Sequence, residues 1–281
     1  MKSALVFLFL MSFSVAGLSL TLTNSHKREF LKLGGNSKAF AHLNCFVKNF
    51  ARDQFQLKSS NRPQRCNSID SSNGNIEIEN TEYAVIVDYT QPSNERRMYI
   101  LNLKNRNEPL IETYYVSHGR FGSTPYNNQT LSRGKNSVLD IEYFSNVLGS
   151  NASSTGFYIT GQIYQGSWVG PRGDKFSLVL HGISRQKNDN ACERLVVVHG
   201  NAYVKESGTS EGVRRMSSGC FMLDYDHVNE VVDKIRGGGG EYFPGEAMTG
   251  GAVFFTYGPA EAALPKNYYC SRQSLNELRV D

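Results

Sequence analysis

The sequence predicts a mainly β fold: a β-rich α+β domain with an accessory helix near its N-terminus and one late helix. Two observations carry that expectation. Short runs dense in β-branched and aromatic residues recur from about residue 82 onward, divided by Gly, Asn, Ser and Pro clusters. Apolar residues at helical spacing stand out in only two places. The chain has 281 residues, 40% of them hydrophobic and 20% charged, which is enough to bury one sizeable core.

The first element is a leader. "MKSALVFLFLMSFSVAG" has one early lysine, an apolar run from Ala4 to Met11, and the small residues Ser14 and Ala16 two apart. This pattern predicts a secretory signal peptide over residues 1–20, cleaved between Ala16 and Leu20. The mature protein is then periplasmic or secreted, and no membrane span is expected once the signal is removed. Residues 21–80 read as a linker and a helix. In 36–57 the residues Phe40, Leu43, Phe46, Val47 and Phe50 share one helical face. Residues 58–75 are polar, with Pro63 and Gly74, and read as a loop.

Residues 81–258 form the main domain. "EYAVIVDYT", "RMYILNLK", "LIETYYVSHG", "GFYITGQIY", "KFSLVLHGI", "RLVVVHGNAYV" and "GGAVFFTYG" are its expected strands. "DHVNEVVDKIRGGGG" is the late helix, with Asp226 as its expected N-cap and glycines at its end. Residues 259–281 read as a C-terminal tail.

Composition excludes several classes. The net charge of +4 and the lack of aromatic–basic interleaving argue against nucleic acid as a partner. The five cysteines include no CxxC pair, and neither HExxH nor His-x-His occurs, so no metal site and no cofactor is predicted. An odd number of cysteines in an exported chain leaves at least one thiol free. Cys45 and Cys66 are the pair most easily joined, although spacing alone leaves the pairing among Cys45, Cys66, Cys192 and Cys270 open.

The chemistry-bearing stretch is "RRMSSGCFML", residues 214–223. Gly219 lets the backbone bend close to a substrate. The backbone N–H groups of Ser218, Gly219 and Cys220 can then converge as an oxyanion hole. A cysteine nucleophile needs a nearby imidazole to take its proton. His199 ends the strand "RLVVVHG", and one loop separates it from the turn, which makes it the best placed of six histidines. The bland alternative is a buried small apolar residue and a rim histidine.

This His-Gly, loop, Ser-x-Gly-Cys order resembles the murein L,D-transpeptidase catalytic domain family (YkuD-like). "VDYTQPSNERRMYILNL", "VSHGRFGS", "FSNVLGSNASSTGFYITGQIYQG", "LVLHGI" and "NDNACERLVVVHGNAYV" extend the similarity over about residues 82–225. The resemblance implies an L,D-transpeptidase-type β-sandwich with Cys220 at its rim. It makes Cys220 the nucleophile, His199 the base or ion-pair partner, Gly200 the residue whose carbonyl orients the ring, and Ser217 the motif serine beside the thiolate. The implied partner is the peptidoglycan stem peptide. Its third-residue carbonyl is attacked and the terminal D-Ala expelled. An amine then resolves the thioester into a cross-link, whereas water gives L,D-carboxypeptidase activity.

The chain departs from the family pattern at three positions. Ser218 stands where many members have His, Met222 where many have Arg or Asn, and Met216 where a close branch has Arg. Arg214 and Arg215 are the expected substitutes for pairing a substrate carboxylate. His118 and Arg120, at another strand end, are expected to line the cleft. A sortase-like enzyme would want Thr-Leu-x-Thr-Cys, which "SSGC" does not provide. A papain-like enzyme would want its histidine after the cysteine. A non-catalytic cell-wall-binding module with the same fold stays open.

Overall fold

The computed structural model describes residues 20–58, 75–105, 107, 109–120, 141, 143–164, 176–209, 211–237, 250–271 and 274. Residues 1–19 of the expected signal peptide, and Cys66, lie outside the described residues. The architecture is mainly β, as expected, and is built on one large mixed sheet.

Two helices precede the sheet, α1 (Asn24–Lys32) and α2 (Ser37–Phe50). The expected linker therefore contains a helix. Its signal is weak in sequence because only His26 and Phe30 of α1 are buried, too few for a visible periodicity. Capping sets its start: Thr23 Oγ1 accepts from the His26 N–H, and the His26 side chain reaches back to the Thr23 N–H. In α2 the Asn36 side chain caps the Lys38 N–H at 2.9 Å. The helix expected to run to residue 57 ends at Phe50, and Phe55–Gln56 is a strand, β1, paired with β2 (Asn75–Ile76).

The main sheet contains β3 (Tyr83–Asp88), β4 (Met98–Asn102), β5 (Ile111–Tyr114), β6 (Gly156–Tyr164), β7 (Ser177–Gly182), β8 (Val197–Gly200), β11 (Phe221–Leu223) and β12 (Val253–Tyr257). Their order is β11-β8-β7-β6-β12-β3-β4-β5, parallel at β11/β8 and β12/β3 and antiparallel elsewhere. A short ribbon of β9 (Val204–Lys205) and β10 (Gly212–Val213) lies between β8 and β11 in the chain.

Strand alternation sends side chains to two cores. On one face Ala84, Ile86, Phe157, Val253 and Phe255 pack with Phe40, Leu43, Phe46 and Phe50 of α2. Phe46, Phe157 and Phe255 form a stack with ring centroids 4.2 Å apart at each step. On the other face Val85, Val87, Leu178, Leu180, Val198, Phe221 and Leu223 pack against α3 (Val228–Ile235). Strands covered on both faces lose the alternating polar pattern and read as near-continuous apolar runs. Helix α3 begins one residue later than expected. His227, not Asp226, is at its N-cap position, and the Val228 N–H bonds the Asp224 carbonyl.

The segment expected as a tail contains α4 (Pro259–Ala263) and a 3-10 turn (Tyr268–Cys270). Cys45 of α2 is bonded to Cys270, not to Cys66, and so ties this segment to the α2 face. Cys192 is also disulfide-bonded. Cys220 is the free cysteine among the described residues.

Candidate active site

Cys220 and His199 reach one cavity through the parallel pairing of β11 and β8. Register sets Met222 opposite His199 and Phe221 opposite Val198. Val198, Phe221 and Leu223 point to the α3 side. Alternation therefore turns His199 to the opposite face. Cys220 immediately precedes β11, and both side chains line a cavity of about 620 Å³.

Backbone bonds fix the turn that carries Cys220. The Ser217 N–H donates to the His118 carbonyl and the Arg120 N–H to the Ser217 carbonyl, each at 2.8 Å. The Ser217 hydroxyl donates to the Cys220 carbonyl at 2.6 Å and accepts from the Gly219 N–H at 3.0 Å. Ser217 Oγ thus spans the turn that carries the sulfur. One expectation is corrected: the Gly219 N–H, expected in the oxyanion hole, is taken up inside the turn. Gly219 has φ +110°, and a Cβ there would stand 2.9 Å from the Ala152 carbonyl oxygen, so the position requires glycine on two counts.

His199 is buried, and its Nδ1 lies 3.0 Å from the Gly200 carbonyl oxygen. A carbonyl only accepts, so Nδ1 carries the proton and the lone pair of the neutral ring is on Nε2. Burial pushes the imidazole pKa down, against the opposing pull of the Gly200 carbonyl. The Cys220 thiol is also buried, and donates to the Leu195 carbonyl at 3.4 Å. Burial pushes it up, while the Val197 N–H and the Arg194 charge act the other way. Both directions favour a neutral thiol beside a neutral imidazole at rest, and not a preformed ion pair.

The expected substrate-binding residues separate into two groups. Arg120 and Arg215 line the cavity. The Arg215 guanidinium donates to the Tyr203 hydroxyl at 2.5 Å and lies over that ring at 4.6 Å. Arg214 is outside the lining and donates to the Ala202 carbonyl. His118 is also outside it: it is buried, and its Nδ1 accepts from the fully buried Arg97 at 3.0 Å. The pair holds a strand end in place, so the cleft role expected for His118 is corrected to a structural one.

Arg194 was not anticipated. It lines the same cavity, and its guanidinium bonds the Ser145 and Ala152 carbonyls and the Ser150 and Ser154 hydroxyls. No carboxylate lines the cavity among the described residues, and no cluster of His, Cys, Asp and Glu there is suited to a metal ion. No described helix is long and apolar enough to cross a membrane.

Comparisons with known proteins bear on this geometry. No curated protein matches the chain. Among solved structures, a variant of the helical cell-shape-determining protein Pgp2 from Campylobacter jejuni is similar at 10% identity and a TM-score of 0.36, over 84% of this chain. The chain spans 61% of that protein. Residues 56–242 match the family described as the L,D-transpeptidase catalytic domain. That segment is more than half of the sequence and contains β3 to β11, with the His199 strand end and the Cys220 turn: the chain belongs to the L,D-transpeptidase catalytic domain family.

Proposed function

We propose that this chain is a peptidoglycan L,D-transpeptidase acting through a Cys220–His199 pair in the cell envelope. The observation that carries the reading is the single cavity lined by a free cysteine and by an imidazole whose Nδ1–H is held by Gly200. His199 Nε2 takes the Sγ proton as sulfur attacks the carbonyl of the third stem-peptide residue. The Ser218 and Cys220 N–H groups face the oxyanion, with Gly219 shaping the turn between them. Collapse expels D-Ala, whose amine takes the proton from His199. The acceptor amine then attacks the thioester, gives a proton to His199 and releases sulfur, which recovers that proton as the new amide leaves. The neutral resting pair suits this sequence, since the base has to be unprotonated before each attack.

Arg120 and Arg215 are the cations in this reading that pair with a substrate carboxylate. The test is incubation of the purified protein with tetrapeptide muropeptides, followed by mass spectrometry, beside Cys220→Ala. Release of D-Ala with cross-linked dimers supports transpeptidation, and release without dimers supports carboxypeptidase action. Product from Cys220→Ala would overturn the nucleophile assignment. No product from the wild-type protein would overturn the enzymatic reading on this substrate.

A further inference from the structure

The environment of Cys220 raises a question that the Cys–His pair does not answer. The thiol is buried, burial pushes the imidazole of the same cavity toward its neutral form, and ionising sulfur in such a place is disfavoured. A compensating charge has to come from somewhere. Among the described residues, Arg194 from the turns before β8 and Tyr89 from the end of β3 act electrostatically on the Cys220 thiol, while His199 of β8 lines the same cavity. Tyr89 is itself buried, and burial drives its hydroxyl far above its usual range, so it brings no charge.

Arg194 is held in a way that differs from most buried arginines. Its bonds run to two carbonyls and two hydroxyls, all neutral and all on the 145–154 loop. No carboxylate pairs with it among the described residues. Burying a cation without a counterion costs stability, which hydrogen bonds to neutral acceptors offset only in part. Its neighbours bring it to the nucleophile. The carbonyl of Leu195, the next residue, accepts a hydrogen bond from the Cys220 thiol, and a Cβ on Gly219 would lie 3.3 Å from Arg194 Nη2.

We propose that Arg194 is the positioning residue that supplies the fixed positive charge for the Cys220 thiolate, acting through the nucleophile and not on substrate. The 145–154 loop fixes the guanidinium in advance. When the Sγ proton passes to His199 Nε2, the new negative charge forms beside a cation that is already oriented, so little reorganisation is needed. Among the described residues, the anion that Arg194 then faces is the reaction's own, made and discharged once in each half-reaction. The inference rests on the Cys220 nucleophile reading, but not on which peptide is acylated.

The test is the pH dependence of Cys220 alkylation by iodoacetamide in the oxidised full chain, for wild type, Arg194→Gln and Arg194→Lys. Thermal melts of each variant check folding, and wild-type muropeptide turnover is measured in parallel. With the charge removed, the inflection is expected to rise by about one pH unit, so that alkylation below both inflections slows roughly tenfold. Arg194→Lys keeps a charge and is expected to stay near wild type. Folded Arg194→Gln with a wild-type profile would overturn the proposal. If Arg194→Gln does not fold, Arg194→Lys carries the test: an inflection raised by a full unit in that variant would overturn it. Absent turnover with an Arg194-dependent profile would refute the substrate reading alone.

Discussion

Gly219→Ala is the sharpest perturbation of this site, and the structure permits its effect to be worked out. Two terms add. The first is backbone: φ is +110°, a region an L-residue with a Cβ enters at a cost of about 1–3 kcal/mol. The second is contact. The new methyl would meet the Ala152 carbonyl oxygen at 2.9 Å and Arg194 Nη2 at 3.3 Å. Neither neighbour yields easily, because Arg194 itself binds the Ala152 carbonyl. The turn has to move by a few tenths of an ångström, and it carries Cys220. Gly208 separates the terms, having φ +92° with nothing within 4 Å of its Cβ position. Gly208→Ala is therefore expected to lose only the backbone term, about 1–3 kcal/mol, seen as a fall in Tm of roughly 2–12 °C. Gly219→Ala is expected to lose more stability than that, and to slow iodoacetamide alkylation and muropeptide turnover by about 10²-fold. Equal Tm shifts for the two variants, with wild-type turnover in Gly219→Ala, would refute the close packing of this turn on Ala152.

Four further outcomes follow from the same structure. His199→Gln is expected to lower turnover by about 10²–10⁴-fold with little change in Tm, measured by D-Ala release. Arg215→Ala, at the cavity wall, is expected to raise KM for a substrate with a free carboxylate by roughly tenfold, while Arg214→Ala, outside it, leaves KM unchanged. His42 and His181 are buried, and burial lowers each from 6.5 to about 4. The unfolded chain therefore binds their protons more tightly, so stability is full above about pH 6.5 and falls as pH drops toward 4, by up to about 3 kcal/mol per residue, read from urea midpoints. Cys270→Ser is expected to cost about 2–5 kcal/mol, because it frees the last turns from α2; an unchanged urea midpoint would count against that bond as a stabilising link.

How much was legible in the sequence follows from the range of each signal. Strand runs such as Tyr83–Asp88 and Val253–Tyr257 were visible because both faces are covered, which makes nearly every residue apolar. Helix α2 was visible because five large apolar residues share one face, whereas α1 buries too little to show a period. Cys220 and His199 were legible because each sits in a short local motif. Arg194 had no such signal: its bonds reach residues 145–154, some 40 positions away, and only the fold brings them together. The Cys45–Cys270 bond, with a sequence separation of 225, is hidden for the same reason. His118 and Arg120 looked alike as neighbours at a strand end, yet the buried Arg97 turns one inward and leaves the other at the cavity.

Met222 shows how this chain accommodates a departure from the family pattern. Where many members carry Arg or Asn, Met222 packs with Val204 and Val213 of the β9–β10 ribbon, with Tyr115 against them. The same ribbon is tied to the sheet by polar contacts: Glu206 accepts from the Tyr115 N–H at 2.8 Å and pairs with Arg96 at 2.7 Å, and its own N–H donates to Asp224 at 2.8 Å. A polar residue at 222 would face that apolar cluster and would need a partner there. Positive charge around the cavity comes instead from Arg120, Arg194 and Arg215, which lie on three different segments. The position two residues after Cys220 has thus become an anchor for the ribbon beside Tyr203, whose ring and hydroxyl hold Arg215 at the cavity wall. Met222→Arg alone would therefore not recreate the family's usual arrangement, because the new guanidinium would enter a cavity with three cations and no carboxylate. The expected result is lower stability and no gain in turnover; a gain would mean that Arg215 does not occupy the corresponding place.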